Sequence, residues 1–151
     1  MENGYTTGGC QCGAVRFQIS GPLGRADLCH CRMCQKAFGS FAAALIEVPQ
    51  AQLKWTKGKP STFQSSPLVK RGFCAKCGTP LFMVEKADPN FDLAVGALDK
   101  PALVSFRQQI GVESRLPWFQ TLHLLPEKKT EDTRPANELA RLISLQHPDH
   151  D

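Results

Sequence analysis

Cys10-Gln11-Cys12-Gly13 and Cys74-Ala75-Lys76-Cys77-Gly78 decide the reading of this chain, and between them lies Cys29-His30-Cys31-Arg32-Met33-Cys34. All seven cysteines of the 151-residue sequence fall in these three groups. The first and third groups end alike, each with a glycine directly after a cysteine. A ligand turn that closes in Cys-Gly lets the backbone curl around a metal and point N–H groups at sulfur, because glycine tolerates the positive φ such a turn needs. Two knuckles of this kind facing each other make a tetrahedral four-thiolate zinc site from Cys10, Cys12, Cys74 and Cys77. That metal would staple an N-terminal hairpin to the middle of a sheet.

The second group reads differently, since Cys34 is followed by Gln35. If Cys29 and Cys31 lie on an extended segment they point to one side, and Cys34 can return from the next turn to complete a tripod. No cysteine remains for a fourth position, which falls to water, substrate or a histidine. A three-thiolate zinc with an open position is the form of a catalytic site, whereas four closed ligands are structural. Thiolate ligands also lower the electrophilicity of the metal, which favours activating a substrate thiol over polarising a carbonyl. Cys29, Cys31 and Cys34 are therefore the expected catalytic residues and the second set of zinc ligands, giving two zinc ions per chain. His30 sits between two ligands and would face the other way on a strand, so a supporting role suits it better than ligation. His123, His147 and His150 are weaker candidates, the last two in a polar tail.

Composition bounds the rest. A 42% hydrophobic, 21% charged chain of this length reads as one globular domain with a core of its own. The net charge of +4 is modest, and Lys70-Arg71 and Lys128-Lys129 are only pairs, so no nucleic-acid partner is expected. The start, Met1-Glu2-Asn3-Gly4, is polar and lacks a signal peptide's apolar region. The apolar run from Phe41 to Ile46 is too short to span a membrane. A reducing cytoplasm follows as the expected location, where clustered thiols bind metal more often than they pair.

Short apolar runs broken by Gly and Pro predict a mainly β protein built of antiparallel sheets. The expected strands are Val15 to Ile19, Phe41 to Val48, Leu53 to Thr56, Ser61 to Gln64, Leu68 to Phe73, Pro80 to Val84 and Phe91 to Val95. A short helix is expected over Cys34 to Phe38. A longer one is expected over Pro135 to Gln146, with Leu139, Ala140, Leu142, Ile143 and Leu145 as its apolar stripe. It reads as a packing element on the sheet, with a dimer contact as the alternative. Residues 1–126 form the expected zinc domain; 127–151 hold a charged linker, the helix and a polar tail.

Gly8 to Phe17, Cys29 to Gly39 and Arg71 to Leu81, in this order, resemble the glutathione-dependent formaldehyde-activating enzyme family, also called the CENP-V/GFA domain. Leu116-Pro117-Trp118 is similar to that family's late Pro-Trp segment. The resemblance implies a β-tent fold of twisted antiparallel sheets, with a structural zinc on Cys10, Cys12, Cys74 and Cys77. A catalytic zinc on Cys29, Cys31 and Cys34 is implied with it. The implied activity is that of a carbon–sulfur lyase, reversibly adding glutathione or another thiol to formaldehyde or a small aldehyde. One departure stands out, in that similar proteins often carry a histidine where this chain has Gln108-Gln109-Ile110.

A glutathione pocket needs cations for two carboxylates. Arg32, Lys36, Lys70, Arg71, Arg107 and Arg115 are the candidates, with Arg32 and Lys36 favoured by flanking the second cluster. Trp118 and Phe119 could wall such a pocket, while Trp55 suits the core, and Gly39-Ser40 could let substrate approach closely. Two other readings remain beside the enzyme: a zinc-stapled binding module without turnover, and a redox sensor in which Cys29, Cys31 and Cys34 form disulfides.

Overall fold

The computed structural model describes residues 4–150. Met1 to Asn3, read above as a polar start, lie outside the described residues, as does Asp151. The chain is mainly β, with ten strands in two sheets among the described residues. The smaller sheet has the order β1-β2-β5, from Tyr5–Gly9, Arg16–Ser20 and Leu53–Lys57. The larger has the order β10-β3-β4-β9-β8-β7-β6. Its strands are Ala26–Cys29 (β3), Ala43–Pro49 (β4), Ser61–Gln64 (β6), Val69–Phe73 (β7), Pro80–Glu85 (β8), Asn90–Ala94 (β9) and Phe106–Ile110 (β10). Helix α1 spans Arg32–Phe38 and α2 spans Ala136–Leu139.

Alternation explains the core. Phe17 and Ile19 on β2 are fully buried while Gln18 between them is half-buried. They meet Ile46, Val48, Leu81 and Leu93 from the larger sheet in one cluster. Trp55 joins the sheets, its ring 5.7 Å from Phe17 and 5.9 Å from Phe82, so it belongs to the core. A buried ion pair closes one rim: Arg16 Nη1 donates to Asp99 Oδ1 at 2.9 Å, and Thr7 Oγ1 donates to Asp99 Oδ2 at 2.6 Å. Burial alone would raise the Asp99 pKa, but these donors hold its carboxyl below the ordinary value.

The mainly β, antiparallel expectation holds with one exception, since β10 runs parallel to β3. A parallel neighbour needs a long return path, and the chain between β3 and β10 supplies it through six intervening strands. The helix expected over Pro135 to Gln146 holds only over Ala136–Leu139, and Leu142, Ile143 and Leu145 are exposed rather than packed on the sheet. A twelve-residue helix is marginal without a packed face. Here the chain instead turns back, and the His147 N–H donates to Gln11 O at 2.7 Å. Among the described residues no helix is long and apolar enough to cross a membrane.

Candidate metal centres

The first centre is built by two turns of the same design. In the first, Cys10 N–H donates to Val15 O at 2.9 Å and Gly13 N–H to Cys10 O at 3.0 Å. In the second, Cys74 N–H donates to Thr79 O at 2.9 Å and Gly78 N–H to Cys74 O at 2.8 Å. Gly13 and Gly78 have φ of 68° and 77°, the left-handed values that the Cys-Gly pattern requires. The turns face each other, joined by Gln11 N–H to Thr79 Oγ1 at 3.1 Å.

The four sulfurs converge. Cys10 Sγ lies 3.6 Å from Cys12 Sγ, and Cys12 Sγ lies 3.9 Å from Cys74 Sγ. The sulfur–sulfur edge of a tetrahedron with Zn–S bonds of about 2.3 Å is ~3.8 Å, so these two edges suit zinc, and all four sulfurs lie within 4.8 Å of one another. Val15 N–H donates to Cys10 Sγ at 3.3 Å, and Thr79 Oγ1 lies 3.1 Å from Cys77 Sγ. Burial works against ionisation of Cys77, but the Thr79 hydroxyl and nearby N–H groups outweigh it and bring its pKa down to about 6. The Ala14 N–H favours the Cys12 thiolate, yet burial and the surrounding sulfurs together push that thiol up to about 11.

The second centre lies where β3 hands over to α1. Cys29 ends β3, Cys31 is the N-cap of α1, and Cys34 sits in its first turn. The Cys31 backbone is extended, at φ −60° and ψ 147°, and its Sγ accepts from Cys34 N–H at 3.4 Å. This strand-to-helix switch brings the three sulfurs within 4.8 Å of one another. Cys29 and Cys34 are buried and Cys31 half-buried. The two buried thiols share a proton: a hydrogen bond from Cys29, aided by Arg71, draws Cys34 down to about 5, while the Cys29 thiol is pushed up. Three soft sulfur donors suit zinc, and no fourth His, Cys or acidic side chain completes this group among the described residues.

The surroundings were only partly foreseen. His30 is fully buried; its Nε2 lies 2.8 Å from Gln109 Oε1 and Phe119 meets its ring edge-on at 4.7 Å. It is a supporting residue and not a member of the sulfur group. Gln109 is thus the partner that orients His30. Gln35 Nε2 donates to His30 O at 2.7 Å and to Ser114 O at 3.0 Å, tying α1 to the turn after β10. Phe41 packs on Phe119 and on the exposed Trp118. Of the six cations, Arg71 is buried, with Nη2 donating to Cys34 Sγ at 3.4 Å. Arg32 and Lys36 line a groove beside α1 with Met33, Phe63 and Ser65. Lys70 lines a separate cleft, Arg107 is exposed on β10, and Arg115 is half-buried. His123 is exposed, and His147 turns its Nδ1 to Pro148 O. Neither Gln35 nor Ser65 carried any signal in the cysteine spacing.

The fold and these centres define a class: a small β protein with one four-sulfur and one three-sulfur group that could each hold a metal. The sequence matches the glutathione-dependent formaldehyde-activating enzyme family over residues 5–114. That span takes in every cysteine, and the chain belongs to this family. A solved crystal structure of a Rhodobacter sphaeroides protein shares the fold, with a TM-score of 0.54 and 22% identity. The likeness covers 68% of this chain and 98% of that one.

Proposed function

We propose that the protein is a zinc-dependent carbon–sulfur lyase that reversibly joins glutathione, or another small thiol, to formaldehyde or a small aldehyde. The observation that carries this reading is the tripod of Cys29, Cys31 and Cys34, three converging sulfurs with no fourth protein ligand among the described residues. Cys10, Cys12, Cys74 and Cys77 would hold a structural zinc, and the tripod a second. When bound there, zinc supplies one open coordination position that favours ionisation of a substrate thiol near neutral pH.

The chain's own residues do the rest. Cys29, Cys31 and Cys34 would hold the ion at the β3–α1 corner. His30, fixed by Gln109 and Phe119, holds the corner rigid between two ligands. Arg32 and Lys36 offer cations to the thiol's carboxylates at the groove beside α1. In the forward direction a sulfur–carbon bond forms and the thiol proton ends on the former carbonyl oxygen; no electrons are exchanged with a third partner. The reverse step breaks that bond and returns aldehyde and thiol. A reducing cytosol suits a chain whose seven cysteines are all unpaired.

The test is exchange spectroscopy on ¹³C-formaldehyde and glutathione. The wild-type protein is expected to speed exchange between free aldehyde and the hydroxymethyl adduct above the spontaneous rate, and Cys31→Ser to return it to background. A wild-type protein that leaves the rate unchanged refutes the lyase and favours a binding module.

A further inference from the structure

Arg71 lies on β7, 37 positions from Cys34 in sequence, and is only 3% exposed. Its Nε donates to Ser65 Oγ at 3.0 Å, its Nη2 donates to Cys34 Sγ at 3.4 Å, and its Nη1 has no partner. No carboxylate pairs with it among the described residues. A buried cation is costly unless an opposite charge lies beside it. The group beside this one is the cysteine tripod.

The charge balance gives that contact a purpose. A metal-bound cysteine is a thiolate. Three thiolates around a divalent ion leave one negative charge, which a guanidinium cancels. A neutral centre can accept an anionic fourth ligand; without the guanidinium the same ligand would join a site already negative, in surroundings that screen poorly. The planar fork of arginine spans Ser65 and Cys34 at once, which a lysine ammonium cannot do.

We propose that Arg71 is a positioning residue of the three-cysteine centre, a fixed countercharge that lets this centre take an anionic sulfur as its fourth ligand. The inference rests on the thiol-binding function proposed above and adds what selects the ligand's charge. It separates this centre from the four-cysteine one, whose sulfurs are served by a backbone N–H and a threonine hydroxyl.

Cobalt(II)-loaded protein tests it without any turnover. At fixed pH, wild type, Arg71→Gln and Arg71→Lys are titrated with 2-mercaptoethanol and, separately, with neutral imidazole, following the thiol- or imidazole-dependent change in the cobalt bands. Loss of a unit charge next to the centre is expected to weaken thiol binding by about tenfold or more in Arg71→Gln. Imidazole binding is expected to change far less, and Arg71→Lys to recover part of the thiol affinity. Equal losses for both ligands, or an unchanged thiol affinity in Arg71→Gln, would overturn the proposal. Should Arg71→Gln fail to fold, the folded wild type still decides: a centre that prefers imidazole to thiol overturns it, and one that prefers thiol supports it. A wild-type centre that takes no thiol at all refutes the proposed function itself. That outcome is distinct from a wild type that binds thiol no better than Arg71→Gln does.

Discussion

The two cysteine groups place the same side chain in different surroundings. At the four-cysteine centre the ligands come from two turns far apart in sequence, and local N–H and hydroxyl donors surround the sulfurs. At the three-cysteine centre the ligands come from one short segment, packed against a buried histidine, a buried arginine and a buried glutamine. The first arrangement joins distant strands; the second builds a corner from one short segment. If the first holds and the second reacts, as proposed, the difference lies less in the thiolate than in the company it keeps.

The largest effect that could break this contrast comes from paired ligand substitutions. Cys77→Ser is expected to lower thermal stability by several kcal/mol, or to prevent folding, because metal binding at a structural site is folding free energy (~10 kcal/mol or more in small zinc domains). Cys31→Ser is expected to keep a cooperative transition near that of wild type while elemental analysis falls from two zinc ions per chain to one, one for each sulfur group. Equal destabilisation by the two would erase the distinction.

A smaller effect compares glycines. At Gly111, with φ 64°, an added Cβ would lie 2.8 Å from Cys31 N and 3.1 Å from Cys31 Cβ. At Gly78, with φ 77°, it would meet nothing within 4 Å. Gly78→Ala should cost about 1 kcal/mol of backbone strain, and Gly111→Ala roughly 2–3 kcal/mol, since Cys31 must also move. Chemical denaturation measures both, and only Gly111→Ala should speed loss of metal to a chelator from the three-cysteine centre.

The smallest effect lies outside both centres and serves as a control for pH. Asp92 on β9 faces Glu47 across the strand pair, and burial first, then Glu47, Asp88, Asp27 and Glu85, raise its pKa to about 6. The folded state therefore holds a proton that the unfolded chain releases earlier. The penalty for ionising Asp92 is present above pH 6 and fades as pH falls toward the ordinary carboxylate range. Asp92→Asn is expected to stabilise the protein by about 1 kcal/mol at pH 7.5, after allowing for solvent screening, with the gain vanishing near pH 4. A gain that is flat with pH would refute the assignment to Asp92.

The two sulfur groups, the β class and strands β2 and β4 to β9 were legible because cysteine spacing and two-residue alternation are local signals. Strand β1, Tyr-Thr-Thr-Gly-Gly, hid behind its glycines, although Gly8 is needed where Phe17 packs close. Strand β10 is exposed along its whole length, so no burial pattern marks it; its pairing with β3 creates it. The C-terminal stripe was misleading for the converse reason, a helical period without a surface to bury it. Arg71 could be named as a cation from sequence, but its contact with Cys34 depends on strand β7 lying against α1, a tertiary fact.

Cys12 and Cys74 meet across 62 positions of chain. Strands β2 to β7, helix α1 and the whole cysteine tripod lie inside the loop they close. Closing such a loop carries an entropic cost of a few kcal/mol, met once when the first metal is captured. Assembly therefore has an order. The four-cysteine centre is expected to load first and shorten the search for everything within the loop. On that order the tripod is expected to gain or lose an ion without the chain coming apart. Withdrawal of the first ion, by contrast, is expected to open that loop and unfold the chain.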